Sequence, residues 1–211
     1  MSRRLLPLSG CVSVVLFVLV LSWLAGNTPG TKDSAAKVTS FYLAHHTRQN
    51  VGSVALCIGA VFLVLFAATA WKEVEGGRPW RLVFVSGAAV AAAGFLAAAG
   101  IHLALSEGVH ARIAPSAVQA LNVLDANDYL FFAFGMAIML LGAAGMLIPR
   151  HGVDRVFGWA ALVLAVAIAT PIGFVGFLGS GIWVVVASIV LSVRAGEETR
   201  PAAVGANAVT A

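Results

Sequence analysis

Six stretches of this chain contain no Asp, Glu, Lys or Arg: 5–25, 51–71, 82–105, 129–148, 156–174 and 175–193. Each has about the length that an α-helix needs to cross a hydrocarbon core of about 30 Å. Inside lipid an exposed backbone amide finds no water to bond, so a spanning segment must satisfy its own amides, which a helix does. The expected fold is therefore all-α, a six-transmembrane-helix bundle. Composition agrees, because only 10% of the 211 residues are charged, against about a quarter in a soluble domain. The spans leave no room for a second folded unit. Residues 1–199 read as a single polytopic membrane domain, and 200–211 read as a disordered cytoplasmic tail.

The charges between the stretches set an orientation. Arg3, Arg4, Lys72, Arg78, Arg81, Arg150, Arg155, Arg194 and Arg200 fall on one side, and Lys32, Lys37, Arg48 and Arg112 on the other. Basic residues accumulate on the cytoplasmic side, so both termini are expected there, in the plasma membrane. An even number of spans is consistent with that. The net charge of +4 is this loop bias and not a nucleic-acid surface, since no basic run with interleaved aromatics exists. Arg3-Arg4 before an apolar run also suits a signal peptide, but the run is longer than a signal core. An uncleaved first span is the expectation.

The outer loops are the long ones. In 26–50, Asp33-Ser34 reads as a helix start, and Val38, Phe41, Tyr42 and His45 recur at helical spacing. This predicts a short interfacial helix, or one running straight into the second span. In 106–128, Pro115-Ser116 with Gln119 three residues on resembles a capping box, followed by an apolar face of Ala117, Leu121 and Leu124. Pro171 with Gly173, Gly176, Gly179 and Gly181 predicts the turn between the last two spans.

Few residues offer chemistry. Small residues recur along 86–100 and at Gly142 and Gly145, which permits close helix approach, either within the bundle or to another membrane protein or second copy. Cys11 and Cys57 differ in expected depth by roughly 12 Å, too far for a disulfide. Trp183 lies deep in the sixth span and needs a partner for its indole N–H. His45, His46, His102 and His110 fall on the outer side, with Glu107, Asp125 and Asp128 on the same side. Imidazoles with nearby carboxylates are donors for a transition metal or haem iron, so these four histidines are the candidate metal ligands. Adjacent His45 and His46 point about 100° apart on a helix, which argues against their sharing one ion. No HExxH, CxxC, phosphate loop or nucleophile elbow is present, and no catalytic residue is expected.

The order of features resembles a family of small six-span bacterial membrane proteins, common in actinobacteria and catalogued as a domain of unknown function. The likeness rests on Asn27-Thr28-Pro29, the segment from Val38 through His45-His46, Ala114-Pro115-Ser116 with Gln119, Ile148-Pro149-Arg150 leading to Gly158-Trp159, and Ile182-Trp183 with Ser188. It covers nearly the whole chain. One departure is Leu147-Ile148-Pro149, where the family often has a small residue and Leu-Pro. The resemblance implies a six-helix fold in the plasma membrane and transfers no activity.

The resulting expectation is a non-enzymatic membrane protein whose environment is the bilayer, acting as a partner or regulatory subunit and carrying no cofactor. The alternatives are a metal- or haem-binding redox protein using the outer histidines, and a transporter of a small uncharged or lipid-like molecule.

Overall fold

A computed structural model describes residues 5–23, 28–73 and 77–198. The expected tail at 200–211 lies outside the described residues, as do Arg3-Arg4. After a single 3-10 turn, Leu6–Leu8, seven α-helices follow: α1 (Ser9–Trp23), α2 (Ala35–Glu73), α3 (Arg78–His110), α4 (Pro115–Asp125), α5 (Tyr129–Leu147), α6 (Val153–Ile168) and α7 (Gly173–Glu198). No strand occurs among the described residues. Among the described residues, four segments are long and apolar enough to cross a membrane: Ala35–Lys72, Arg78–His110, Pro115–Leu147 and Gly173–Gly196; a shorter apolar helix covers Leu6–Ser22. The chain is thus a helical membrane protein.

Successive apolar helices run antiparallel. Ser13 Oγ donates to Gly59 O across α1 and α2, Ser106 Oγ to His46 O across α2 and α3, and Trp183 Nε1 to Phe157 O across α6 and α7. The last is the indole partner the sequence required. Gly10 of α1 packs against Ser188 of α7, so the start of α1 and the last turns of α7 lie at one end. That end also carries Arg150, Asp154 and Arg194, joined by Arg194 Nη2 to Asp154 Oδ1 at 2.6 Å and Arg150 Nη1 to Asp154 Oδ2 at 3.2 Å. These bonds hold the Asp154 carboxyl below the usual carboxylate range, Arg194 contributing most.

The centre of the bundle is the antiparallel pair α3–α5. A Cβ on Gly87, Gly94, Gly135 or Gly142 would overlap backbone of the facing helix. Without side chains there, the two backbones meet directly and gain dispersion contacts that hydrophobicity cannot supply in lipid. These small-residue faces are therefore spent inside one chain. The opposite side of α3 stays open, with Ala89, Ala93, Ala97, Gly100 and Ala104 exposed.

Three expectations need correction. The helix of the first outer loop takes one of its two expected forms, running on into the second span as α2 with a kink at His45 (φ −119°, ψ 17°). There the imidazole Nδ1 lies 2.8 Å from Phe41 O, the carbonyl that the helix would use for the His45 amide, and such insertion bends a helix. The short helix is α4, in the third loop. Its start has no side-chain cap; Gln119 Nε2 instead donates to Asp33 O at 3.0 Å and Thr31 O at 3.3 Å. The side chains it buries are Val118, Asn122 and Asp125; of the expected face, Leu121 is half-buried against the core of Val38, Tyr42 and Val118, while Ala117 and Leu124 are exposed. Finally, the turn before α7 is short, at 169–172. Gly173, Gly176, Gly179 and Gly181 are helical; the first three lie against Leu164, Ala167 and Ile168 and mark close packing on α6, while Gly181 faces Val14 of α1 with ordinary clearance.

Candidate functional site

At the end of the bundle opposite Arg194, α4 folds over α2 and α3. The reversal is made by a Schellman close of α3: Ile113 N–H donates to Gly108 O and Arg112 N–H to Val109 O. It places Arg112 in the left-handed region at φ 58°, a conformation that costs a non-glycine residue about 1–2 kcal/mol. Asn122 Nδ2 then donates to Gly30 O at 3.1 Å, and with Gln119 it pins 30–33 beneath α4. Val38, Tyr42, Leu105, Val109 and Val118 fill the space between as a small separate core.

Beneath this cap, polar side chains are buried in an apolar setting. His102 of α3 has Nδ1 at 3.1 Å from Asp125 Oδ1 and Nε2 at 3.8 Å from Asp128 Oδ2. Asp125 ends α4 and is 8% exposed. Tyr42, wholly buried on α2, donates its hydroxyl to Asp125 Oδ2 at 3.3 Å. Asp128 is the N-cap residue of α5, yet its side chain makes no capping bond. An Asp at that position ordinarily accepts from the first free amides of the helix; here it turns to His102.

The geometry leaves these groups incompletely paired. Despite their separation, His102 Nδ1 and Asp125 Oδ1 are not aligned for a hydrogen bond, and neither atom has a hydrogen-bond partner. The 3.8 Å between Nε2 and Asp128 is beyond hydrogen-bond range. A neutral imidazole carries one N–H, so it can donate to one of two carboxylates while its lone pair faces the other. A second proton or a metal ion removes that conflict. Two ligands at about 2.1 Å from a tetrahedral ion stand roughly 3.4 Å apart, between the two separations found here. Among the described residues, His102, Asp125 and Asp128 are the one group of three whose donor atoms all lie within 4.8 Å of one another. They line a cavity of about 120 Å³ that also meets Pro29, Phe95 and Phe132, and no Lys or Arg lines it.

Other buried polar atoms without hydrogen bonds gather at this end. Gln49 is fully buried with both amide atoms unpaired, and Asn122 Oδ1 is unpaired. A buried polar atom left without a bond costs about 1–3 kcal/mol.

The four histidines expected to hold a metal are divided among three places. His102 lies in the cavity. His46 and His110 are in ring contact, centroids 4.3 Å apart, and His46 Nε2 lies 3.0 Å from Glu107 Oε1, to which Asn50 Nδ2 also donates at 2.6 Å. The Glu107 side chain is 55% exposed, so this is a hydrated group. His45 stacks on Phe41, away from both. The four do not converge on one ion. The carboxylates Asp125 and Asp128, which the sequence placed on the same side, join His102 instead. Tyr42 and the buried amides of Gln49 and Asn122 went unnoticed. Their one signal was polar residues recurring on otherwise apolar helix faces.

No protein-family model, curated protein or solved structure matches the chain.

Proposed function

We propose that this protein is a multi-pass plasma-membrane protein that binds a cation at its outer end, with His102, Asp125 and Asp128 as the binding groups. The excess of Lys and Arg around Arg78, Arg150 and Arg194 supports a cytoplasmic position for that end of the bundle. The α4 end then faces outward, and its cavity meets the environment there. The observation that carries the reading is a single imidazole with a carboxylate at each nitrogen, in a cavity that no Lys or Arg lines.

One imidazole and two carboxylates are borderline-to-hard donors, suited to Zn²⁺ or Mn²⁺ and not to copper(I), which prefers thiolate or thioether. The cavity is smaller than the roughly 150 Å³ that takes a benzene, so haem has no room. The Tyr42 hydroxyl on Asp125 orients that carboxylate, as outer-shell donors orient metal ligands.

The test is calorimetric titration of the detergent-purified protein with Zn²⁺ and Mn²⁺. One saturable site is expected, lost in His102→Ala and in Asp128→Asn and kept in His46→Ala. Binding that survives His102→Ala, or no binding at all, ends this reading.

The open face of α3 favours a second reading, a partner or self-associating subunit. Small residues at Ala89, Ala93, Ala97, Gly100 and Ala104 would admit another helix closely. Ala97→Leu would then dissociate a complex that wild type keeps in mild detergent.

A further inference from the structure

A second cavity adjoins the polar one. It holds about 330 Å³ between α1 and α7 and is bordered by core residues including Leu63, Met136 and Val184. That volume falls in the range of small-molecule sites, about 300–1,000 Å³. Its lining is apolar apart from Ser13 and Ser180. Both hydroxyl protons are already donated, Ser13 to Gly59 O and Ser180 to Phe177 O, so neither serine has a free donor to offer a ligand. Val18 and Ile182 on its rim are 54% and 67% exposed. On a membrane bundle that rim faces lipid.

The two cavities share a wall. Phe17, Leu21, Phe95 and Phe177 line both. Phe17 and Phe95 stack with centroids 3.8 Å apart, and Phe95 and Phe132 at 4.4 Å. Aromatic side chains thus stand between an apolar chamber that opens toward lipid and a small chamber with two carboxylates and an imidazole at its far side.

We infer that the two adjoining cavities bind a single-chain amphiphile with a primary-amine head, the chain in the α1–α7 chamber and the ammonium between His102, Asp125 and Asp128, with the shared Phe17, Phe95 and Phe177 side chains turning aside to admit it. Charge complementarity selects the head. An ammonium brings three donors and a positive charge to acceptors that lack both. A carboxylate or phosphate head would meet two carboxylates with no Lys or Arg lining the cavity to offset them. The apolar chamber selects the chain, since its lining is apolar apart from two serines whose protons are already donated. The inference uses the cavity of the proposed cation site but does not require a metal there; the amine and a metal ion compete for it.

The test is native mass spectrometry of the full chain released from mild detergent. The probes are hexadecylamine, hexadecanol, palmitic acid and the short-chain butylamine. Wild type is expected to retain one hexadecylamine, to hold the alcohol at least about tenfold more weakly and not to retain the acid. Affinity for amines should rise from butylamine to hexadecylamine, because the longer chain fills the chamber and gains dispersion contacts with its lining. Gly181→Leu fills the chamber from α7, where a Cβ has ordinary clearance from Val14. It should lose the amine and keep the Zn²⁺ titration, which also reports that it is folded. Asp128→Asn should lose both.

Palmitic acid binding as well as the amine, amine affinity that does not change with chain length, or hexadecylamine retained by Gly181→Leu would each overturn the inference. Zn²⁺ bound without any amine adduct sinks this inference alone. Amine bound without Zn²⁺ sinks the metal reading alone.

Discussion

The α3–α5 seam and the α4 end are both buried, both helical and both contributed in part by α3, yet they are packed on opposite terms. Along the seam, glycine brings backbone onto backbone and the contacts are apolar: Gly87 against Met139, Gly135 against Ala91, Gly142 against Phe84. At the α4 end the same helix presents His102 to two carboxylates, and Gln49, Asn122 and Asp125 keep unpaired atoms. The seam minimises its free energy. The α4 end holds polar groups that a purely structural core would replace with leucine. Imperfect pairing beside a cavity is where a protein keeps affinity in reserve for something it binds, because the missing partner is then supplied by the ligand.

The contrast can be broken or sharpened by substitution. The largest effect is expected in the seam. Gly135→Leu would force α3 and α5 apart and cost about 3 kcal/mol or more, read as a fall in thermal midpoint in detergent. A midpoint within experimental error of wild type would mean the helices do not meet there.

At the α4 end, Tyr42→Phe is expected to cost about 1–3 kcal/mol, because it leaves Asp125 Oδ2 buried without its donor. Thermal unfolding of the metal-free protein measures it, and Zn²⁺ affinity should fall with it.

The third substitution has the opposite sign. Asp125→Asn removes a buried charge facing an imidazole that does not bond to it. The metal-free protein should be unchanged or more stable by about 1 kcal/mol, while the gain in midpoint on adding Zn²⁺ shrinks. A large loss of stability without metal would show that Asp125 is structural and would erase the distinction between the two regions.

The smallest effect lies at the far end. The Asp154 carboxyl is lowered in the folded protein by Arg194 and Arg150. Its contribution is present above the ordinary carboxylate range and is lost as pH falls through the depressed value, since protonation breaks both bonds. Wild type should therefore exceed Asp154→Asn by less than about 1 kcal/mol near neutral pH, and the gap should close below about pH 4. A gap that widens in acid would reverse the assignment.

How much of this was legible varied with how local each signal was. The apolar helices were, because the absence of charge over about 20 residues is a property of each segment alone. The packing role of Gly87 and Gly94 was legible in their spacing, and the need of Trp183 for a partner in its depth. The α6–α7 boundary was misplaced because glycine serves both turns and close helix contacts, and no charge separates the two spans. The face of α4 was legible in part: Leu121 packs on the small core, but Ala117 and Leu124 are exposed, and Asn122 and Asp125 point inward because Gly30 and Tyr42 supply their bonds. Of the expected ligand set only His102 lies in the cavity. Histidines gathered on one side of a membrane share a depth, and depth does not set distance.

The sequence by itself determined the solvent, the helices and the small-residue faces on α3 and α5, because hydropathy and side-chain size act where they stand in the chain; which of those faces meet was left to the fold. The tertiary structure decided which polar groups meet. His102, Asp125, Asp128 and Tyr42 come from three helices and the turn between α4 and α5. Their convergence follows from the reversal at Arg112 and from the clamp of Asn122 and Gln119 on 30–33. A hydrogen bond or an ion site needs its atoms within a few ångströms, and only the folded path of the chain sets that distance.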